Sequence, residues 1–334
     1  MWKLNKNAEH AACLGHVPMG FGRTNFHKTH GTLSLLFYEK DVCTKLAITF
    51  YDKQMQMNKL RFVSLNEPSY TKLRRYNYIL SFIHLSSLCG ISLLATSKWP
   101  VYVTQESKVW MPINASSTES CDKTPCMVTA IANSAFQLHV EDLVVAFHIP
   151  AVISHFYAAE APHLAYAHID SNPPRVPHRW VEYSVSASIM MICILILTGT
   201  TDLWSLVFAF TMSAGTQAMG YIGEFYPKRW FFFCVGSLLM IPPWVTVYYT
   251  FYDSLSRAVN SVPAFVYYVV WSLFLMFSSF AVVNACQRLN KITAIGAEKC
   301  YMILSLLAKT GLAWQIFFGA LSREKMSLVA YNPG

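Results

Sequence analysis

The sequence predicts an all-α membrane protein built as a bundle of seven transmembrane helices. Of its 334 residues, 54% are hydrophobic and only 13% are charged, whereas soluble proteins carry roughly 25% charged residues. So few charges could not cover a soluble particle, which argues against a cytosolic enzyme, a nucleic-acid-binding module and a disordered chain. The mean hydropathy of +0.33 and long apolar runs favour a protein that lies in the bilayer.

Seven apolar stretches are long enough to cross a bilayer, which takes roughly 20 helical residues. The predicted spans are 76–96, 139–161, 179–199, 203–223, 230–252, 262–287 and 299–321. Residues 1–70 are polar and rich in His, Lys and Asn, so they are predicted to form a separate tail of unknown role. The predicted membrane domain covers 71–325, and a short tail over 326–334 follows it.

Loop charges predict the orientation of the bundle. One face is flanked by Arg74, Arg75, Arg175, Arg179, Lys228, Arg229, Arg288, Lys291 and Lys299. The opposite face has fewer basic residues, and three of them, Lys98, Lys108 and Lys123, lie in one long loop. The positive-inside rule therefore places the N-terminus in the cytoplasm and, after seven crossings, the C-terminus outside.

The long loop after the first span has the features of an extracellular segment. It contains a glycosylation sequon, Asn114-Ala115-Ser116, and two cysteines, Cys121 and Cys126, that are close enough to form a disulfide. Val101-Tyr102-Val103-Thr104 is predicted to be a short strand. We therefore expect a small β hairpin on the outer face.

Two residues, Glu182 in the third span and Lys309 in the seventh, carry fixed charges inside the membrane. Each costs at least ~2.5–3.5 kcal/mol near the bilayer centre, so each needs a partner. Counting 1.5 Å per helical residue from the cytoplasmic side puts both in that half of the bilayer, with Ser305 one turn from Lys309. The three can form one polar cluster; a salt bridge that only fixes helix register is the structural alternative.

Two histidines, His84 in the first span and His155 in the second, fall at a similar depth. A single buried histidine is usually a hydrogen-bonded packing residue. Two histidines, a glutamate and a lysine at one depth favour a functional site.

A buried lysine favours its neutral amine, which attacks aldehydes, and a nearby carboxylate can keep the resulting Schiff base protonated. The neighbouring spans offer side chains that could surround a flat polyene: Trp244, Tyr267, Trp271, Phe274, Met276, Phe277 and Trp314. Ordinary membrane packing is the alternative reading of these residues. Pro242-Pro243 is predicted to break the fifth helix and open room for a ring.

Two long motifs carry a family resemblance. Residues 179–188 (RWVEYSVSAS) and 304–315 (LSLLAKTGLAWQ) resemble the third- and seventh-helix signatures of the heliorhodopsins. The likeness runs from about Arg74 to Arg323 and includes Phe265-Val266-Tyr267 and Phe280-Ala281 on the sixth span. It leaves the N-terminal tail unexplained.

The resemblance implies a seven-helix rhodopsin fold with inverted topology. It further implies that Lys309 binds all-trans-retinal as a protonated Schiff base, with Glu182 as counterion and Ser305 beside it. His84 and His155 would receive the proton after photoisomerisation. A cytoplasmic-side network would comprise Arg179, Asn77, Tyr183 and Glu224.

Further residues match the family's retinal pocket, namely Ser186, Met190, Ser213, Thr216, Phe277 and Asn284. The chain departs from the commoner pattern at Ser213, where an asparagine is usual, and at Asn284, where a glutamine is usual. Family members form homodimers and serve mainly as slow light sensors. We therefore predict a non-enzymatic photoreceptor, surrounded by lipid, with an unknown signalling partner and with neither a metal site nor a nucleic-acid partner.

Competing functions differ in which residues they need. An outward proton pump would require a donor carboxylate eleven residues beyond Glu182, where Cys193 stands. An animal-type opsin would have Asn-Pro-x-x-Tyr after Lys309, which is missing from the sequence.

The remaining alternative is a light-gated passive proton channel. Glu141, His148 and His155 are spaced by seven and share one face of the second span, so they could line its path. In the structural alternative, His148 only hydrogen-bonds a neighbouring helix beside a kink at Pro150.

Overall fold

A computed structural model of the chain describes residues 68–95, 98–105, 108–111, 126–129, 133–226, 229–258 and 263–321. The chain divides into two compact units, Met1–Lys59 and Leu60–Gly334, and every element below belongs to the second. Nearly all of the predicted N-terminal tail, the C-terminal tail over 326–334 and the sequon at Asn114 lie outside the described residues. The predicted disulfide between Cys121 and Cys126 lies outside the described side chains.

Seven long helices occur in the described part of the chain, which confirms the predicted seven-helix bundle. They are α1 (Pro68–Leu94), α2 (Val140–Glu160), α3 (Pro177–Leu197), α4 (Leu203–Ile222), α5 (Arg229–Arg257), α6 (Ala264–Arg288) and α7 (Ala294–Ile316). By length and composition, six of them could cross a membrane. The exception is α4, which carries Thr211, Thr216 and Gln217 along its length.

Local sequence signals set several helix ends. The Asp202 carboxylate accepts a hydrogen bond from the Ser205 amide at 2.8 Å, and the Thr293 hydroxyl accepts one from the Gly296 amide at 3.0 Å, so both are N-caps. Pro177 occupies the first turn of α3, where its missing N–H leaves no bond unmade. A single helical turn, Pro162–Ala165, follows α2, and a π-helical turn, Phe317–Leu321, follows α7.

The predicted break in the fifth helix is wrong. Pro242 and Pro243 lie inside α5, which continues through both, and Pro150 likewise lies inside α2. A carbonyl freed by proline cannot turn to water within a bilayer, so other groups must satisfy it. The two prolines remove the helical N–H donors of the Leu238 and Leu239 carbonyls. One turn further on, the Thr246 hydroxyl donates to the Pro242 carbonyl at 3.0 Å.

The loop between α1 and α2 forms the expected hairpin as a two-stranded antiparallel ribbon. Strand β1 (Pro100–Gln105) pairs with β4 (Asn133–His139), and β2 (Lys108–Met111) pairs with β3 (Cys126–Thr129). The ribbon also contacts the α3–α4 connection, because the Thr104 amide donates to the Thr201 carbonyl at 2.9 Å. We call this end of the bundle the ribbon end.

The apolar core has two parts with polar residues between them. The larger part lies towards the ribbon end and includes Ile91, Val144, Phe147, Leu195 and Leu312, all fully buried. The smaller part lies at the opposite end and includes Leu73, Ile169 and Met302. The polar side chains between the two are the candidate site.

Candidate functional site

Lys309 and Glu182 form a buried ion pair between α7 and α3. The Lys309 Nζ atom lies 3.1 Å from Glu182 Oε1 and donates a hydrogen bond to Ser305 Oγ at 2.6 Å. Both charged side chains are at most 4% exposed. The Nζ atom also lies 5.0 Å from the centre of the Tyr183 ring. Lys309, Glu182 and Ser305, which were predicted to lie at a similar depth, thus meet in the structure. They hold a cation against an anion in a site buried from solvent.

Three buried imidazoles lie close together on α1 and α2; we call His84, His148 and His155 the histidine cluster. The His84 ring centre lies 5.6 Å from each of the other two, stacked on His155 and edge-on to His148. His148 Nδ1 lies 2.8 Å from the Val144 carbonyl of its own helix, and no described group bonds its Nε2 or either nitrogen of His84. Sequence spacing placed His155 with His84 but separated both from His148.

A hydrogen-bonded chain continues from His155 away from the ribbon end. His155 Nδ1 lies 2.8 Å from Asn77 Oδ1, and Asn77 Nδ2 donates to the Tyr166 hydroxyl at 2.7 Å and to the Leu73 carbonyl at 2.9 Å. Tyr166 lies in the connection between α2 and α3, where burial and the nearby Glu298 carboxylate raise the pKa of its hydroxyl above the ordinary value. Tyr166 therefore stays protonated and can donate or accept a hydrogen bond.

Arg179 is the centre of a second buried charge cluster, which we call the Arg179 cluster. Its guanidinium donates to Glu224 Oε1 at 2.7 Å and to Glu298 Oε2, and it lies 4.1 Å from the Tyr301 ring centre. The backbone amide of Val176 donates to Glu224 Oε2 at 2.8 Å.

Sequence reasoning grouped Arg179 with Glu224 but missed Glu298. The predicted seventh span began at 299, whereas α7 begins at Ala294 and buries Glu298 in its second turn. A glutamate one residue outside a predicted span looked like an ordinary boundary charge. Tyr183 lies nearby and donates its hydroxyl to the Tyr301 carbonyl at 3.1 Å.

A cavity of about 440 Å³ lies between α3, α4, α5, α6 and α7, with Lys309 in its wall. Small-molecule sites commonly measure ~300–1,000 Å³ and are mostly apolar, as this one is. Five predicted pocket residues line it: Met190, Thr216, Trp244, Phe277 and Asn284. Trp244 packs edge-to-face on Phe274 and Phe277, with ring centres 5.2 and 5.7 Å away.

Two predicted pocket residues, Ser186 and Ser213, do not line this cavity. Ala187 faces it from α3, and Ser186 points about 100° away around the helix. On α4 the lining begins at Thr216, so Ser213 lies one turn beyond it. Both serines are fully buried, and neither hydroxyl has a partner among the described groups.

Four residues that could have surrounded a polyene also lie elsewhere. Tyr267, Trp271, Met276 and Trp314 are not part of the cavity wall. Tyr267 and Trp271 are partly exposed on the outside of α6. Trp314 instead packs on Phe317 and Phe318 near the ribbon end.

The cavity and its polar groups suit a long apolar aldehyde. A primary amine stands in the wall of an aromatic cavity, and a carboxylate lies within ion-pair distance to balance a cation at that amine. The remaining lining is largely apolar, so it matches a hydrocarbon chain and ring. These residues therefore fit a retinal chromophore.

The Glu141–His148–His155 stripe is only partly assembled. Glu141 Oε2 accepts a hydrogen bond from the Trp99 amide at 3.1 Å, and its Oε1 lies 3.5 Å from His139 Nδ1, so Glu141 belongs to the ribbon end. Between Glu141 and His148, α2 presents Val144 and Phe147, both fully buried. His148 bonds its own helix, not a neighbouring one.

Comparisons with known proteins agree on family and fold. The heliorhodopsin family model matches residues 73–321. The transmembrane domain of the Salpingoeca rosetta rhodopsin phosphodiesterase is 16% identical, with 80% of this chain and 89% of that one covered at a TM-score of 0.58. No curated protein sequence matches this chain.

Two microbial rhodopsins have similar folds at low identity. The light-driven proton pump from Coccomyxa subellipsoidea is 11% identical, with 74% and 96% of the two chains covered and a TM-score of 0.55. The thermophilic rhodopsin from Rubrobacter xylanophilus is 12% identical, with 75% and 97% covered and a TM-score of 0.54. At such identities the likeness shows the rhodopsin fold alone.

Proposed function

The chain belongs to the heliorhodopsin family, and we propose that it is a light sensor that couples a proton transfer around Lys309 to a conformational signal. As a heliorhodopsin it is an integral membrane protein that responds to light through a retinal chromophore. The finer parts of the proposal are the sensing role, the all-trans isomer and the proton transfer within the buried polar groups.

The placement of Lys309 is the observation that carries the proposal. Its amine is in the cavity wall, 3.1 Å from Glu182 Oε1 and 2.6 Å from Ser305 Oγ. Retinal, when bound, supplies visible-light absorption and a change of shape on isomerisation. Lys309 would hold it covalently, Glu182 would balance the positive charge, and Met190, Trp244 and Phe277 would confine the chain and ring.

The proton would move over short distances inside the bundle. His84 and His155 stack on each other, both lie within electrostatic range of Lys309, and both can accept a proton. From His155 the contacts with Asn77 and Tyr166 lead towards the Arg179 cluster. A change of charge at Lys309 would thus alter the hydrogen bonds at the end of the bundle opposite the ribbon. We expect the conformational signal at that end.

Orientation, assembly and partners are further parts of the proposal. The loop charges support a cytoplasmic N-terminus and an extracellular C-terminus. The family supports a homodimer in lipid, and the signalling partner is unknown. Heliorhodopsins are generally not enzymes, and the phosphodiesterase named for the S. rosetta protein belongs to that protein.

Replacement of Lys309 tests the proposal. We expect wild-type protein supplied with all-trans-retinal to gain a visible absorption band and Lys309→Ala to lack it. Lys299→Ala, which removes a lysine from the same helix but away from the cavity, should keep the band. A covalent pigment that survives in Lys309→Ala would contradict the proposal.

A light-gated proton channel is the second candidate function. One observation favours it: His84 lies 5.6 Å from both His148 and His155, which fills the gap of about 10 Å between these two members of the stripe. It predicts a light-evoked current in patch-clamped cells whose reversal potential follows the proton gradient and which falls in His148→Ala. Well-expressed pigment that passes no current under a steep pH gradient would exclude it.

A further inference from the structure

His148 has a buried ring nitrogen, Nε2, that has no role in the proposed light sensor. The ring is fully buried, and its Nε2 atom meets no described donor or acceptor. Buried polar atoms in folded proteins nearly always have a partner, either a protein group or an ordered water. We therefore expect Nε2 of His148 to bond an ordered water.

The contacts of His148 fix which nitrogen is free. A carbonyl oxygen can only accept, so Nδ1, 2.8 Å from the Val144 carbonyl, carries the hydrogen. In a neutral ring Nε2 then has a lone pair and is a base. His155 is arranged in the same way, because the Asn77 amide nitrogen is occupied as a donor and its oxygen faces His155 Nδ1.

His84 links the two bases. Its ring lies 5.6 Å from each of the other rings, and both of its nitrogens are buried without a described partner. At this separation of the ring centres, we expect one ordered water to bridge a nitrogen of each ring and to pass a proton. Lys309 on α7 lies close enough to act electrostatically on all three rings, and Glu182 on α3 forms an ion pair with it. His178 at the start of α3 acts in the same way on His155.

The route ends at His148. Phe147 stacks on the His148 ring with centres 4.7 Å apart, and Val144 and Ile91 are fully buried in the apolar core of the ribbon end. These apolar side chains offer a proton no polar group on the way towards Glu141. We therefore expect a proton that reaches His148 to return by the same route.

We propose that His148 is a terminal proton-holding residue, connected to Lys309 through His84 and an internal water. The inference rests on the proposed sensor function. An N–H bond at Lys309 Nζ breaks, and the proton goes to the lone pair of His155 or His84. A proton then passes to His148 Nε2, which leaves an imidazolium whose Nδ1–H still donates to Val144. The same steps in reverse restore the dark protein.

Nuclear magnetic resonance of ¹⁵N-histidine protein in lipid tests the arrangement without any photochemistry. In the retinal-free and the retinal-loaded dark protein we expect His148 to be neutral, with hydrogen on Nδ1 and none on Nε2. The His148→Asn variant identifies the signal by its loss. A hydrogen on Nε2 in the dark would overturn the inference, whether or not pigment forms.

Light-induced infrared and flash absorption spectra test the transfer itself. After illumination we expect an imidazolium signal that disappears in His148→Phe, which keeps a ring against Phe147, and also in His84→Phe, which cuts the route. The deprotonated state of Lys309 should be several-fold shorter-lived in His148→Phe, because the proton has one fewer site to occupy. His163→Gln, which removes an exposed histidine, should behave like wild type.

The outcomes separate the two proposals. An unchanged lifetime and an unchanged imidazolium signal in His148→Phe would overturn the role of His148 and leave the sensor proposal standing. A light-evoked proton current that His148→Phe abolishes would also overturn it, because His148 would then lie on a through-path. Failure of the wild-type protein to form pigment would overturn the sensor proposal itself.

Discussion

At the scale of single residues, the Lys309–Glu182 pair is expected to set the colour of the pigment. The carboxylate lies 3.1 Å from Nζ in a site buried from solvent, so it stabilises a positive charge there strongly. We predict that Glu182→Gln, which keeps the shape but removes the charge, shifts the visible band to longer wavelength or bleaches it to the near ultraviolet. Absorption spectra of the purified pigment measure this, and an unchanged spectrum would point to another counterion.

Glu298 is expected to contribute mainly to stability. Glu298→Gln leaves the buried Arg179 guanidinium with Glu224 as its one remaining carboxylate in the Arg179 cluster. A hydrogen bond to a charged group contributes on the order of 1.5–3 kcal/mol, so we predict a loss of that size and a lower melting temperature. Thermal melts in lipid nanodiscs measure it.

Glu160→Gln is the matched control for that change, because Glu160 accepts its hydrogen bond from Tyr78 at an exposed position. It should melt close to wild type. Equal melting temperatures for the two variants would mean that Glu298 does not hold Arg179 in place.

At the scale of helices, α3 and α4 fit together through one glycine. A Cβ atom on Gly220 would lie 2.2 Å from the Trp180 ring, so the ring occupies the space that any other residue would need. Trp180 also lies beside Arg179, with the guanidinium 5.0 Å from its ring centre. The close approach therefore supports the Arg179 cluster from one side.

We predict that Gly220→Ala destabilises the bundle by about 1–3 kcal/mol, the usual cost of overpacking a core. Gly311→Ala on α7 is the matched control, because a Cβ there meets nothing within 4 Å. Thermal melts should show a lower melting temperature for Gly220→Ala and little change for Gly311→Ala. A Gly220→Ala protein as stable as wild type would show that Trp180 relaxes freely.

Sequence patterns predicted where the helices lie, but not the course of α5 through its prolines or the buried contact of Glu298. Apolar runs located all seven helices because bilayer thickness imposes one length and one polarity on each. The proline pair suggested a break that α5 does not have, because proline interrupts helices in water more readily than in a bilayer, where irregular backbone is costly. Glu298 was missed because hydropathy records a charge at a span boundary without showing that Arg179 lies opposite it.

At the scale of the whole molecule, the inverted orientation is open to direct measurement. We predict that a peptide tag at the C-terminus binds antibody on intact cells, whereas a tag at the N-terminus binds only after the cells are permeabilised. The physical reason is the excess of arginine and lysine on one face, which is retained in the cytoplasm during insertion. The opposite labelling pattern would refute the predicted topology.

The two ends of the bundle are held together by different kinds of contact. At the ribbon end, backbone hydrogen bonds join Thr104 to Thr201 and Val140 to Trp99. The α1–α2 loop is thereby bonded to the α3–α4 connection and to the start of α2. At the other end, side-chain contacts around Arg179 hold α3 and α7 together, and such contacts can exchange partners without unfolding a helix. A change of shape around Lys309, at mid-depth, is therefore expected to displace the helix ends near Arg179 more than the helix ends at the ribbon.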